Sequence, residues 1–341
     1  MSLAPVQSAQ NTPDLIAPWW LPDGHTQTVW PALFGRHRLR DQARCYTRER
    51  WTTPDNDFID VDHCDLDRAP AGAPVLVLFH GLEGSSRSHY ALALAGAARQ
   101  HGLAFCVPHF RGCGGTLNRA PRAYHSGDHA EVDWMLHQVA QRTARPIWAV
   151  GVSLGGNALL RWAQEAGSTA GQRVAALAAV SAPLDLSASG HAIGQGLNRQ
   201  LYTRMFLRTM KAKAWRKLDQ YPGLFDAQAM ARASTLFEFD ALFTAPLHGF
   251  ASVQDYWTRA SALPHLHRIA VPTCIINARN DPFVPAHSLP LASALRNDWV
   301  RLWQPAQGGH VGFAQGPWPG RIDALPQWLL RWFAQASAIR L

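Results

Sequence analysis

The sequence has no long apolar run and no ordered pattern of cysteines. No segment approaches the roughly 20 consecutive apolar residues that a membrane-spanning helix needs. The N-terminal region contains Pro5, Asp14 and Pro18 where a secretory signal would have an unbroken apolar stretch. The five cysteines are odd in number, irregularly spaced and without a CxxC pair, which argues against a disulfide framework and against a zinc site. We therefore expect a cytoplasmic protein without a structural metal.

Acidic residues are also scarce, with 24 Asp and Glu against 32 Lys and Arg and a net charge of +8. Such a balance fits nucleic acid or an anionic membrane as a partner, but it also fits a basic soluble protein. The arginines are scattered apart from a cluster at 36–50, and no basic tail is present. The aromatic strand signature of RNA-binding modules is missing too. We expect no nucleic-acid partner.

Apolar runs alternate with amphipathic stretches along most of the chain. The run 74–79 is continuously apolar and ends at a His-Gly turn, which is typical of a strand buried on both faces of a parallel sheet. Alternation of this kind predicts an α/β protein with a mostly parallel central sheet and helices on both faces. The predicted strands are 74–79, 103–107, 146–150, 174–180, 273–276 and 300–303, and the predicted helices are 90–101, 129–142, 157–166 and 326–336.

The same pattern predicts the domain organisation. Residues 1–42, rich in Pro and Trp, form an N-terminal arm that packs on the core through aromatic side chains. Residues 43–182 and 263–341 form the α/β core. Residues 183–262 are helical and rich in Arg, Lys, Met and aromatics. They interrupt the strand–helix alternation, so we expect a helical cap or lid inserted late in the sheet.

A nucleophile elbow follows the strand at 146–150. Gly151-Val-Ser-Leu-Gly155 matches G-x-S-x-G, with an apolar strand before it and a helical stretch after it. This strand–turn–helix setting is typical of the α/β-hydrolase fold, in which the serine is the nucleophile. In that fold the oxyanion is held by the backbone N–H after the nucleophile and by one from the loop after an earlier strand. The sequence therefore predicts Ser153 as nucleophile, with Leu154 and Leu82 as the oxyanion-hole residues.

A serine nucleophile needs a general base and a carboxylate that orients the base, and in this fold they follow in the order Ser, Asp or Glu, His. Asp281 and His310 come directly after the predicted strands 273–276 and 300–303. Both thus lie at the carboxyl ends of parallel strands, where α/β active sites form. We predict His310 as the base and Asp281 as the acid. Asp185, which follows the strand 174–180, is the alternative acid.

Several further segments resemble the YheT-like subfamily of α/β-hydrolases, a group of esterases related to the abhydrolase-domain lipid hydrolases. The resemblance covers nearly the whole chain, and it assigns the catalytic triad to Ser153, Asp281 and His310. It says little about the substrate, because the cap matches least. The matching segments are 22–31, 80–85, 109–115, 124–127, 151–157, 280–283 and 308–313.

These patterns predict carboxylic ester hydrolysis through an acyl-enzyme, with a small-molecule ester as substrate and no metal or cofactor. An acyltransferase that passes the acyl group to an alcohol is an alternative. The two activities differ in whether water reaches the acyl-enzyme, and the sequence does not show this. A non-catalytic binding module is disfavoured by the complete triad. Dehalogenase chemistry is disfavoured because it needs a carboxylate at position 153. The oligomeric state is left open.

Two groups of residues are predicted to contact substrate. Tyr124 and His125 lie on a polar loop together with Asn118, Arg119 and Ser126, although hydrogen bonds that hold the loop in place explain these residues equally well. Phe206 and Met210 belong to an apolar stripe of helical spacing within the insert. That stripe would line a pocket for short-to-medium acyl chains, or would only dock the helix on the core. The adjacent basic stripe at Arg204, Arg208 and Lys211 also fits transient contact with an anionic membrane surface.

Overall fold

The computed structural model describes residues 15–35, 39–66, 68–339 and 341. Residues 1–14 and 36–38 of the predicted arm lie outside the described residues. The centre of the molecule is an eight-stranded sheet with the strand order β1-β2-β4-β3-β5-β6-β7-β8. The strands are β1 Thr47–Thr52, β2 Phe58–Cys64, β3 Val75–Phe79, β4 Ala104–Pro108, β5 Ile147–Val152, β6 Ala176–Val180, β7 Thr273–Ile276 and β8 Val300–Trp303.

Strands β3 to β8 run parallel to one another, while β1 pairs antiparallel with β2 and β2 pairs antiparallel with β4. The prediction of a mostly parallel sheet is thereby confirmed. The α-helices of six or more residues in the described part of the chain are α1 Gly24–Trp30, α2 His89–Gln100, α3 His129–Thr143, α4 Leu154–Ala166, α5 Leu186–Ile193, α6 Arg204–Gln220, α7 Ala227–Arg232, α8 Val253–Ala260 and α9 Ala324–Ser337.

The apolar runs of the central strands are continuous because both faces of the sheet are covered. Successive residues of a strand point to opposite faces. In β3, Val75, Val77 and Phe79 pack in a core with residues of α3 and α4. Leu76 and Leu78 of the same strand pack in a second core with residues of α2 and α9. All five side chains are fully buried, so a strand with only one apolar face would not fit here.

Cys45 and Cys64 form a disulfide in the structure. The sequence argued against a disulfide framework, and this expectation is wrong for the pair Cys45 and Cys64, whereas Cys106, Cys113 and Cys274 are free. The antiparallel pairing of β1 with β2 sets Thr47 opposite His63. Cys45 lies two residues before Thr47, and Cys64 directly follows His63. The register therefore brings the two cysteines together, with a Cα–Cα distance of 5.3 Å. Irregular spacing in the sequence does not reveal such a hairpin contact.

The chain between β6 and β7 is largely helical and contains α5, α6, α7 and α8. A three-residue helical turn and a π-helical turn at Arg199–Thr203 precede α6, so helical backbone runs on from 196 to 220. Lys217 of α6 fastens this segment to the core, since its Nζ donates to the carbonyls of Asn118 and Ala120. The separation of 183–262 as a cap stays a prediction. Its residues also contact the loops after β3 and β7, since Lys213 pairs with Glu83 and the amide of Asn198 donates to the carbonyl of Pro282.

Candidate active site

Ser153 lies at the sharp turn between β5 and α4. Its backbone has φ 53° and ψ −121°, a conformation that is strained for a residue with a side chain. The flanking glycines make the turn possible, because a Cβ on Gly151 would lie 2.5 Å from the carbonyl oxygen of Gly155. A Cβ on Gly155 would lie 2.4 Å from the carbonyl oxygen of Phe79. Helix and strand thus pack backbone against backbone, and Ser153 is held at the start of α4.

Ser153, His310 and Asp281 form one hydrogen-bonded chain. The Oγ of Ser153 lies 3.0 Å from Nε2 of His310, and Nδ1 of His310 lies 2.8 Å from Oδ2 of Asp281. The side chain of Asp281 is fully buried and that of His310 is 10% exposed. The ring of Phe283 packs on the imidazole, with 4.2 Å between the centroids. This arrangement can activate the serine hydroxyl by proton transfer to the imidazole.

The two carboxylates considered as the acid have different positions. Oδ1 of Asp281 accepts hydrogen bonds from the backbone N–H groups of Phe283 and Val284, so Oδ2 is fixed toward His310. Asp185 instead caps helix α5, where its Oδ1 accepts from the N–H of Ala188 at 3.0 Å. The structure therefore brings Asp281 together with His310 and gives Asp185 a helix-capping contact.

The arm helix α1 buttresses the loops that carry Asp281 and His310. Gln27 is buried, and its Oε1 accepts from the N–H of Gly308 at 2.8 Å and from the amide of Asn280 at 2.9 Å. The hydroxyl of Thr28 accepts from the N–H of His310 itself, also at 2.8 Å. The aromatic packing predicted for the arm does not include either residue. The polar stretch Gly-His-Thr-Gln-Thr could have indicated these contacts, because polar side chains that become buried in a packed segment need hydrogen-bond partners.

The predicted oxyanion-hole residues come from two segments that meet at Ser153, since Leu154 follows it directly and Leu82 follows Gly81, which lies close to it. Leu154 is the first residue of α4, so its N–H has no partner within the helix. In the described part of the chain, no acceptor is assigned to the N–H of Leu154 or of Leu82. Gly81 lies directly against Ser153, because a Cβ on Gly81 would be 3.2 Å from Cβ of Ser153. The N–H of Gly81 donates to Oη of Tyr90 at 3.0 Å, which fixes the loop.

A second set of side chains holds the next residue of this loop, Glu83. Its N–H donates to Oη of Tyr124 at 2.8 Å, and the same hydroxyl donates to Oε1 of Glu83. Lys213 of α6 reaches the same carboxylate oxygen, with 2.8 Å between Nζ and Oε1. Burial lowers the pKa of Lys213, but Cys113 and Glu83 beside it outweigh burial and raise that pKa. Lys213 thus stays a cation and links the 183–262 insert to the loop that follows β3.

A cavity opens beside Ser153 and is continuous with solvent. Its lining includes Ser153, His310, Leu82 and Leu154, and one wall is built by the insert. That wall is largely apolar. Burial raises the pKa of Asp240, which also lines the cavity, to about 6. The apolar residues of the lining include Ile193, Phe206, Met210, Leu236, Phe243 and Phe283.

Of the predicted substrate-contacting residues, Tyr124, Phe206 and Met210 line this cavity. His125 does not. It packs among the rings of His248, Phe250 and Tyr256, and burial lowers its pKa to about 4, which keeps the ring neutral. Asn118 and Ser126 also line the cavity. The amide of Asn118 is nevertheless used within its own loop, since it donates to Asp57 and to two backbone carbonyls.

No three His, Cys, Asp or Glu side chains of the described residues are grouped as a metal site. The buried His80 is engaged in the fold, where Nε2 accepts from the N–H of Phe110. Burial lowers the pKa of His80 to about 3, so this ring is neutral. The groups that meet at the site are the serine hydroxyl, the imidazole and the carboxylate of the hydrogen-bonded chain, with Leu82 and Leu154 beside them in the lining of the apolar cavity.

A family model described as the alpha/beta hydrolase fold matches residues 74–317. The chain belongs to the α/β-hydrolase family.

Within that family it belongs to the YheT-like group. It is 38% identical over 320 residues to the protein named "Putative esterase YheT" of Escherichia coli (strain K12), covering 92% of each chain. It is 28% identical over 297 residues to "Phospholipase ABHD3" of Homo sapiens, covering 85% of this chain and 72% of that one. The solved structure of Est1E from Butyrivibrio proteoclasticus with ferulic acid bound has a TM-score of 0.53 at 13% identity, covering 85% of this chain and 99% of that one. That likeness concerns the fold alone.

The reactivity of Ser153 toward a fluorophosphonate probe tests the assignment of the acid. We expect Asp281→Asn to slow labelling far more than Asp185→Asn, because an amide cannot stabilise the imidazolium and favours the wrong tautomer. The loss is roughly ten-thousandfold in the serine-protease precedent. Labelling rates followed by intact mass spectrometry give the comparison, with Ser153→Ala as the unlabelled control. The reverse ranking would make Asp185 the acid.

Gln27→Leu tests the buttress formed by the arm. The change leaves the N–H of Gly308 and the amide of Asn280 without their acceptor, so the loops that carry Asp281 and His310 shift. A displacement of about 1 Å lowers rates by about a hundredfold. The free energy of unfolding should fall by only about 1–3 kcal/mol. The labelling rate and urea unfolding are measured together, with the exposed Gln172→Leu as control. Labelling at the wild-type rate would show that Gln27 only packs.

Proposed function

We propose that the chain hydrolyses carboxylic esters through an acyl-enzyme formed on Ser153. One observation carries the proposal, namely the hydrogen-bonded chain Asp281–His310–Ser153 at the wall of an apolar cavity. At the level of reaction class, the fold and the esterase and phospholipase names of the relatives make the chain a carboxylic ester hydrolase. The triad and the acyl-enzyme are the proposed means.

In the first half-reaction, Oγ of Ser153 attacks the ester carbonyl carbon while Nε2 of His310 takes its proton. The tetrahedral intermediate collapses, the ester C–O bond breaks, and His310 returns the proton to the departing alcohol. In the second half-reaction a water molecule attacks the acyl-enzyme, His310 takes its proton, and the acid leaves as Ser153 regains its hydrogen. Asp281 holds Nδ1 of His310 and stabilises the imidazolium in both halves.

Leu82 and Leu154 would donate their backbone N–H groups to the carbonyl oxygen as it becomes negative. The position of Leu154 at the N-terminus of α4 adds the positive end of a helix dipole. A free carboxylate on Glu83, next to Leu82, would oppose this negative charge. Lys213 neutralises Glu83 through the 2.8 Å ion pair. The insert therefore contributes to the electrostatics of the oxyanion hole as well as to the cavity.

The 183–262 insert is proposed to act as a cap that selects the acyl chain. Phe206 and Met210 of α6 face the cavity together with the core residue Phe283. Each methylene buried against such a wall contributes about 0.8 kcal/mol. Short-to-medium acyl chains, or lipid-like esters that carry them, are therefore the proposed substrates. Because the cavity is continuous with solvent, water can reach the acyl-enzyme, which favours hydrolysis over transfer to an alcohol.

A cytoplasmic location stays a prediction. Among the helices that the structure describes, none combines the length and the apolar character required to cross a bilayer. The Cys45–Cys64 disulfide is of a kind more usual in oxidising compartments. Fractionation of cells that express the chain, with thiol labelling of each fraction, would place the protein and give the state of this pair.

Hydrolysis of an activated short-chain ester tests the proposed function. We expect Ser153→Ala to lower kcat on the order of a millionfold while leaving the fold intact, because the nucleophile is lost. Release of the chromogenic alcohol gives the rate, and circular dichroism checks the fold. Wild-type activity should persist with a metal chelator. Full activity in the variant would overturn the triad, and loss with chelator restored by zinc would indicate a metal mechanism. Transfer of the acyl group to an added alcohol faster than to water would favour the acyltransferase alternative.

A panel of esters with graded acyl chains tests the cap. The wild type should prefer short-to-medium chains over acetate, in line with about 0.8 kcal/mol for each buried methylene. Phe206→Ala with Met210→Ala should flatten this dependence of kcat/KM on chain length, while acetate is still turned over. The matched control is Met205→Ala on the exposed side of the same helix. An unchanged profile would show that the acyl pocket is built elsewhere.

A further inference from the structure

The helical segment 196–220 carries an unusual concentration of positive charge. From Leu186 to Leu218 the sequence contains no Asp or Glu, while it contains seven Lys and Arg. Lys213 and Lys217 point inward, to Glu83 and to backbone carbonyls. The other five belong to half-buried or exposed positions, and they are Arg199, Arg204, Arg208, Lys211 and Arg216.

The same segment also exposes large apolar side chains. Leu197 is 56% exposed, Leu201 47% and Met205 54%. Their spacing of four residues places them on one side of the helix, and they form an apolar stripe in water. An amphipathic helix with an apolar stripe beside a cationic one is the type that lies in a membrane interface. We call the exposed side of 196–220, with this stripe and its flanking cations, the outer face.

Four of the cations line a shallow groove along the outer face, together with Ser234. The contacts that these cations make within the protein are with uncharged groups and do not neutralise their charge. Arg199 donates to the hydroxyl of Ser234, and Lys211 donates to a backbone carbonyl. The nearby carboxylate of Glu238 is engaged by the N–H groups of Ser234 and Thr235. Within the described part of the chain, no carboxylate lies within ion-pair distance of these four cations. The four are Arg199, Arg204, Arg208 and Lys211.

We propose that the outer face docks on a bilayer that contains anionic phospholipids. The cations would lie at the headgroups, and Leu197, Leu201 and Met205 would enter the boundary with the acyl chains. The apolar stripe favours a membrane over nucleic acid as the partner. The phosphates of a nucleic acid would pair with the cations, but the three large apolar side chains would stay in water.

The docked helix is also the helix that walls the cavity. Tyr202 is buried on its inner side, and Phe206 and Met210 line the cavity beside Ser153. Docking through the outer face therefore places the acyl pocket one helix away from the lipid. This use of docking rests on the proposed ester hydrolysis, whereas the docking itself does not, so the two are tested separately.

Flotation of the full-length chain with vesicles tests the docking. Vesicles of phosphatidylcholine are compared with vesicles that also contain phosphatidylglycerol. We expect binding to the anionic vesicles, and its loss at high salt because the charges are exposed. Arg204→Gln with Arg208→Gln should weaken the partition coefficient by roughly 30-fold, since each cation near an anionic surface contributes about a factor of five. Leu201→Ser with Met205→Ser should weaken it as well.

Because the whole chain is basic, controls must match the change in charge. Arg99→Gln with Arg331→Gln removes two exposed cations from α2 and α9, and Leu291→Ser removes an exposed apolar side chain outside the insert. These should bind as the wild type does. Equal weakening by Arg99→Gln with Arg331→Gln would reduce the effect to net charge and overturn the proposal. A second outcome would also overturn the proposal. In it, the chain binds a DNA duplex as tightly as it binds anionic vesicles, and Leu201→Ser with Met205→Ser does not change the binding.

Circular dichroism of each variant verifies folding, and hydrolysis of a soluble short ester is measured beside it. A wild type that docks without hydrolysing any ester would leave the docking in place and contradict the proposed function alone. A wild type that hydrolyses soluble esters but ignores both kinds of vesicle would contradict the docking alone.

Discussion

The strained turn at Ser153 is the constraint on which the rest of the site depends. Backbone packing between β5, α4 and the end of β3 leaves no room for a side chain at Gly151 or Gly155. The turn fixes the direction of the Ser153 hydroxyl and leaves the N–H of Leu154 free of the helix. Everything else has to be brought to this fixed point. β7 and β8 bring Asp281 and His310 to it, β3 brings Leu82, and the insert brings the apolar wall.

Much of the fold could be predicted because buried strands leave a strong trace in the sequence. The strands predicted at 273–276 and 300–303 coincide with β7 and β8, and the other four central strands differ by one or two residues at their ends. The elbow, Asp281 and His310 were identifiable for a related reason. Each directly follows a buried strand, so position along the chain implies position at one edge of the sheet. Helix α4 begins at Leu154, three residues earlier than predicted. The prediction began the helix too late because its first turn contains glycines, which have a low helix propensity.

What the sequence could not indicate are contacts between segments far apart in the chain. The Gln27 amide meets Gly308, and Lys213 meets Glu83, at separations of 281 and 130 residues. Neither contact has a local pattern. The disulfide depends on the register of β1 with β2, and the number of cysteines does not reveal that register. His125 shows the converse case, since a polar residue on a loop near the site packs among rings away from the cavity. Position beside a site in sequence does not determine which way a side chain points.

The bond from Gln27 to Gly308 also has a consequence for how the protein becomes active during its synthesis. His310 follows Ser153 by 157 residues in the chain, so the loop that α1 supports is synthesised well after the turn at Ser153. That turn and the loop after β3 can form earlier, from the contiguous core strands β3 to β6. A nascent chain would thus hold a positioned Ser153 hydroxyl before the His310 loop exists, and at that stage Gln27 would have no partner at Gly308. An assay of stalled nascent chains would then separate folding of the sheet from assembly of the hydrogen-bonded chain Asp281–His310–Ser153.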